Sequence, residues 1–149
     1  MSADFSLSDS SITAVQIAQA IAKEYSNENF SSAHLLNALL HKDVGLSDFL
    51  KANRKDVNYL IDWAEVRIES YPKAVKLPEA PSGDGKIEAV FHEADNARIK
   101  LGLLEINPIC ILVALCKPNV GFTADQLKTF PILEKEIYDL YISEASVQN

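Results

Sequence analysis

The feature that most restricts how this chain can fold is an internal repeat. At a constant shift of 76 residues the second half copies the first, without a gap through the first two helical segments. Ala18 falls on Ala94, Leu36 on Leu112, Ala38 on Ala114, Leu39 on Leu115, Val44 on Val120 and Gly45 on Gly121. Apolar character carries over from Val15 to Phe91, Tyr25 to Leu101, Phe30 to Ile106, Leu46 to Phe122 and Ile61 to Ile137. A duplicated unit buries its apolar side against its own copy, because one copy alone leaves that side open to water.

The period within each copy is helical, and no segment keeps the alternation of a strand. The spacing predicts helices over about 10–25, 33–42, 47–52 and 56–71, then about 86–101, 108–116, a short one opened by Thr123 and Gln126 as a capping box, and 131–142. Ala14, Ala18, Ile21, Ala22 and Tyr25 form the inward stripe of the first helix. Leu133, Ile137, Leu140 and Tyr141 form that of the last. The second helix is apolar on most sides, which marks it as central and buried. Residues 72–85 carry three prolines and two glycines and read as a linker. The expected fold is therefore all-α: two pseudo-symmetric four-helix repeats, about 10–71 and 86–142, in a single domain spanning 1–149.

Charge and hydropathy narrow the function. Acidic residues outnumber basic ones 21 to 14, for a net charge of −7. Phosphate-binding surfaces concentrate Lys and Arg, so nucleic acid and anionic membrane are not expected partners. The longest apolar run, Ile109 to Cys116, is eight residues, too short to span a bilayer. The N-terminus lacks the basic and apolar regions of a signal peptide, so a cytoplasmic location is expected.

Chemistry finds little footing. Cys110 and Cys116 stand about 240° apart around a helix and cannot share a metal there, so both read as buried thiols. His34, His41 and His92 form no His-Glu-x-x-His motif. His34, opening a buried helix, reads as a hydrogen-bonded core histidine. The stretch Pro81 to Ile87 has the second glycine and the lysine of a phosphate-binding loop, but Ala80 and Ile87 stand where the first glycine and the hydroxyl belong. No Gly-x-Ser-x-Gly occurs. Glu65 and Glu69 read as a solvated face, and Trp63 as packing against the other repeat. No catalytic, cofactor or metal site is expected.

Two stretches then carry a family resemblance. Ala18-Gln-Ala-Ile-Ala-Lys-Glu-Tyr25, followed by Phe30-Ser-Ser-Ala-His-Leu-Leu-Asn-Ala-Leu-Leu40, resembles the Clp N-terminal repeat: an alanine-rich helix, a short turn and a His-Leu-Leu-x-Ala-Leu-Leu core helix. Gly45 stands where that family commonly has glycine. In the second copy Cys110 replaces the histidine and Arg98 an alanine. The resemblance covers about residues 10 to 142. It implies a non-catalytic domain at the front of a hexameric AAA+ unfoldase. Such a domain is itself monomeric and captures protein substrates or adaptors, with ATP and magnesium only in modules elsewhere. It admits a ClpV-type role, gripping a short helix of a type VI secretion sheath subunit, a ClpB- or ClpC-type role, or a free-standing adaptor.

Peptide grooves in that family lie near the first helix and its partner from the other repeat. Ile12 lies about 140° from the inward stripe of its helix, at 100° per residue. Ile99 is similarly displaced on the fifth. The expected groove has Ile12, Val15, Gln16 and Gln19 on one wall and Ile87 and Phe91 opposite. Its apolar side chains would take a peptide, and its glutamines would bond the peptide backbone.

Overall fold

The computed structural model describes residues 5–148, with side chains described as far as Ser143. Among the described residues eight helices follow one another: α1 (Asp9–Glu24), α2 (Ser32–Leu39), α3 (Leu46–Ala52), α4 (Val57–Glu69), α5 (Gly85–Leu101), α6 (Pro108–Cys116), α7 (Ala124–Leu127) and α8 (Glu134–Gln148). Only isolated single bridges, and no strand, occur among the described residues.

The two most apolar helices lie at the centre. In α2 every residue but Asn37 is buried, and in α6 every residue but Pro108. α1 and α4 pack on α2, α5 and α8 pack on α6, and α2 meets α6 between them. The alanines Ala14, Ala18 and Ala22, each fully buried, let α1 settle closely on α2. Side chains cap the starts of several helices, where the first backbone N–H groups have no partner within the helix. Ser8 Oγ accepts from Ser11 N–H, Asp56 from Tyr59 N–H and Asn107 from Cys110 N–H. Thr123 and Gln126 cap α7 reciprocally, as the sequence predicts.

The two halves are tied by exchanged lead-in segments. Ser8 N–H donates to Ile106 O at 3.0 Å and Ile106 N–H to Ser6 O at 2.8 Å. Asp84 N–H donates to Phe30 O at 3.1 Å and Phe30 N–H to Ser82 O at 3.0 Å. At the shift of 76, Ser6, Ser8 and Phe30 fall on Ser82, Asp84 and Ile106. The same pair of hydrogen bonds is thus made twice, each repeat bracing the other. α3 and α4 then press on the second repeat. The Trp63 ring meets Phe122 and Phe130 edge-on at centroid distances of 4.9 and 4.8 Å, and its Nε1–H donates to Thr129 Oγ1 at 2.9 Å.

Three details depart from the sequence reading. α2 ends at Leu39, so His41 and Lys42 lie in the turn beyond it. α8 begins at Glu134, and residues 131–133 do not follow its helical phase. Leu133 is therefore 71% exposed, and Ile132 takes the buried position at 2%. The Pro-rich linker is bound down rather than loose. Asn27 Nδ2 donates to Pro72 O, Ala74 N–H to Ser26 O, and Asn29 Nδ2 to Ser82 O.

Candidate functional site: the outer faces of helix α1

The six residues placed in one groove by the sequence divide between surface and core. Ile12 is 43% exposed, and Gln16, one turn on, is exposed as well. Gln19 completes that stripe, half-buried, but its Nε2 already donates to Pro81 O at 3.0 Å. Val15 is buried beneath them. Ile87 and Phe91 form no opposite wall, being 1% and 0% exposed.

The reason lies in the lead-in segments, which periodicity does not weigh. Gly83 sits so close to Ile87 that a β-carbon there would lie 2.7 Å from Ile87 Cγ2 and 3.2 Å from Phe30 Cζ. Phe5 covers Phe91, with ring centroids 6.1 Å apart. The open part of the expected site is therefore the Ile12–Gln16 stripe of α1.

A second outward surface of α1 escaped the sequence reading. Ile17, Ala20, Ile21 and Glu24 repeat at i, i+3, i+4 and i+7 and form one wall of a groove of about 450 Å³. Asn37 of α2 and Leu40, just past its end, lie at its floor, and Ile61 of α4 lies opposite. Ile17, Ile21 and Ile61 pack on the core yet remain half exposed. The signal was available, because the corresponding residues of the second repeat are Glu93, Asn96, Ala97 and Lys100.

The titratable groups are arranged for structure. His34 is fully buried, and its Nδ1 accepts from Ser31 N–H at 2.8 Å. That nitrogen is therefore bare, and Nε2 carries the proton toward Asn27 Oδ1 at 2.8 Å. Loss of water around the ring is the main cause that lowers its pKa to about 4, with Lys73 adding to it and Asp84 opposing. Burial also pushes both thiols up, Cys116 far more than Cys110, which keeps them protonated and unreactive. No cluster of three or more metal-ligating side chains occurs among the described residues. No described helix is long and apolar enough to cross a membrane.

A sequence profile described as the Clp repeat (R) N-terminal domain matches residues 6–130. Among curated proteins, none matches the sequence. Solved structures share the fold. The Hsp104 N-terminal domain from Candida albicans is 18% identical, with a TM-score of 0.73 over 92% of this chain and 89% of that one. The N-domain of ClpV from Vibrio cholerae is 18% identical, with a TM-score of 0.74 over 93% of this chain and 84% of that one. A ClpV N-domain in complex with VipB peptide is 19% identical, with a TM-score of 0.67 over 91% and 84%.

Proposed function

This chain belongs to the family of Clp repeat N-terminal domains, and from that membership we propose that it captures segments of other proteins for an ATP-driven unfoldase whose motor modules lie outside these residues. The observation that carries the reading is the exposed isoleucine and glutamine stripe on α1, set on a helix whose opposite face of alanines is entirely buried. A rigid helix offering an apolar side chain beside a free amide suits an apolar peptide side chain and its neighbouring backbone polar group. Binding and release at this domain need no reacting group. The buried neutral histidine and buried thiols fit that role.

Within this role we propose a ClpV-type client, a short helix of a secretion sheath subunit. Support comes from the ClpV N-domain of the same fold that has been solved with VipB peptide. A ClpB- or ClpC-type assignment shares the capture step and differs only in the client.

Ile12→Asp tests the stripe. It is expected to weaken binding of an amphipathic helical peptide with uncharged flanks by about tenfold, with an unchanged urea midpoint, since the side chain is already half in water. Unchanged affinity would remove the stripe from the site. Val15→Asp is unsuitable, because Val15 is buried and a carboxylate there would unfold the domain rather than report on binding.

A further inference from the structure

We propose that the groove between α1 and α4, floored by the end of α2, is a second docking surface, and that its occupant is an amphipathic helix flanked by lysine or arginine. The argument rests on a comparison the molecule makes with itself. Two copies of one helical unit present corresponding surfaces, and among the described residues the first carries an open groove where the second carries bridging side chains.

In the second repeat two contacts bridge the corresponding surfaces. Lys117 Nζ pairs with Glu93 Oε2 at 3.2 Å, and Lys100 Nζ lies 5.4 Å from the centre of the Tyr138 ring. At the shift of 76 these four positions become His41, Ile17, Glu24 and Asp62. An imidazole beside an isoleucine makes no ion pair, and carboxylates at positions 24 and 62 cannot make the cation–ring contact of Lys100 and Tyr138. The two copies differ accordingly at the wall opposite the first helix: Ile137 is fully buried, whereas its counterpart Ile61 is partly exposed.

The geometry and the charge select the same kind of guest. α1 and α4 both pack on α2, so a fourth helix laid between them would complete a bundle around it, burying an apolar stripe on Ile17, Ile21, Leu40 and Ile61. The rim is acidic. Glu24 lines the groove and is exposed, and Asp62, also exposed, follows the lining residue Ile61 on α4. Lys73 Nζ donates to Tyr25 O at 2.7 Å and Lys23 Nζ to Glu79 O at 3.1 Å, and neither lysine lines the groove. A guest's lysines or arginines would sit between Glu24 and Asp62, much as Lys100 reaches across the second repeat. Partners with acidic flanks would meet like charge.

Fluorescence anisotropy with two synthetic amphipathic helices about four turns long, identical except for lysine or glutamate flanks, tests the proposal. The intact domain is expected to bind the lysine-flanked peptide at least about tenfold more tightly, with the difference shrinking as salt rises. The double change Ile17→Glu with His41→Lys copies residues that the second repeat already carries at these positions. It is expected to weaken that binding at least about tenfold while helicity and urea midpoint are kept. Glu24→Lys with Asp62→Lys is expected to reverse the preference, and Ile99→Asp, an exposed isoleucine on α5, to leave it unchanged. Equal binding of the two peptides, or full binding by the Ile17→Glu, His41→Lys variant, would overturn the proposal. So would a concentration-dependent dimer of the free domain that this variant abolishes, which would give the groove to a second copy. Loss of binding in Ile12→Asp without loss in the double variant would assign the peptide to the α1 stripe instead.

Discussion

Single residues set the conditions under which this domain stays folded, and His34 is the clearest case. It stands at the third position of α2, where a glutamate or glutamine ordinarily completes a capping box, and accepts the Ser31 N–H in their place. Its pKa falls from 6.5 to about 4 on burial. Between those values the unfolded chain binds a proton at this site that the native protein refuses. Native stability therefore falls as pH drops from about 6.5 to about 4, and the slope ends once the native ring protonates too. The full shift corresponds to about 3 kcal/mol. Urea midpoints measured across that window are expected to decline in the natural protein. In His34→Gln, which keeps both hydrogen bonds without titrating, they should decline less. The remaining carboxylates titrate in both proteins and cancel in the difference. Parallel declines would mean that His34 is not the sensor.

Among the elements, the turns after the two central helices show one sequence signal serving two physical needs. Gly45 and Gly121 are equivalent in the repeat, and both were legible as breaks. Gly45 precedes α3 in a left-handed conformation, φ +91°, with open space around it. Gly121 lacks that conformation, but a β-carbon there would lie 2.8 Å from Ser32 Oγ and 2.9 Å from Val90 Cγ2. Gly45→Ala is expected to cost about 1 kcal/mol through backbone strain alone. Gly121→Ala should cost about 1–3 kcal/mol through overpacking, since Ser32 and Val90 belong to the core. Thermal unfolding of the two variants separates the causes, because a small-to-large change at Gly121 also disturbs the Trp63–Phe122 contact and with it the fluorescence of the single tryptophan. Equal losses with unaltered emission would contradict this division. Helix positions and caps were readable because apolar period and capping chemistry are local. The start of α8 was not, because Pro131, Ile132 and Leu133 satisfy a helical period on paper while the chain uses Ile132 to reach the core.

At the scale of the whole molecule, the repeat fixed the architecture in advance, while the site was only half visible. A constant shift foretells two units and central helices, since it records which positions are buried in both. It does not say where the lead-in segments run. Those segments bury Ile87 and Phe91, which the helical wheel had set on a groove wall. The same shift, turned to differences instead of likenesses, brings out the surface that was missed. Ile17 against Glu93 and Asp62 against Tyr138 are substitutions no shared core requires. They leave the first copy an open crevice with Glu24 in its lining, where the described residues of the second carry the Lys117–Glu93 and Lys100–Tyr138 contacts. The central claim is that the copies share a fold and divide the labour, with guests received on the first repeat. Methyl NMR of the isoleucines during titration with the lysine-flanked amphipathic helix tests it most directly. Saturable shifts at Ile17, Ile21 and Ile61, with Ile99 and Ile137 of the second repeat unmoved, are predicted. Shifts centred on the second repeat, or none that saturate, would contradict it.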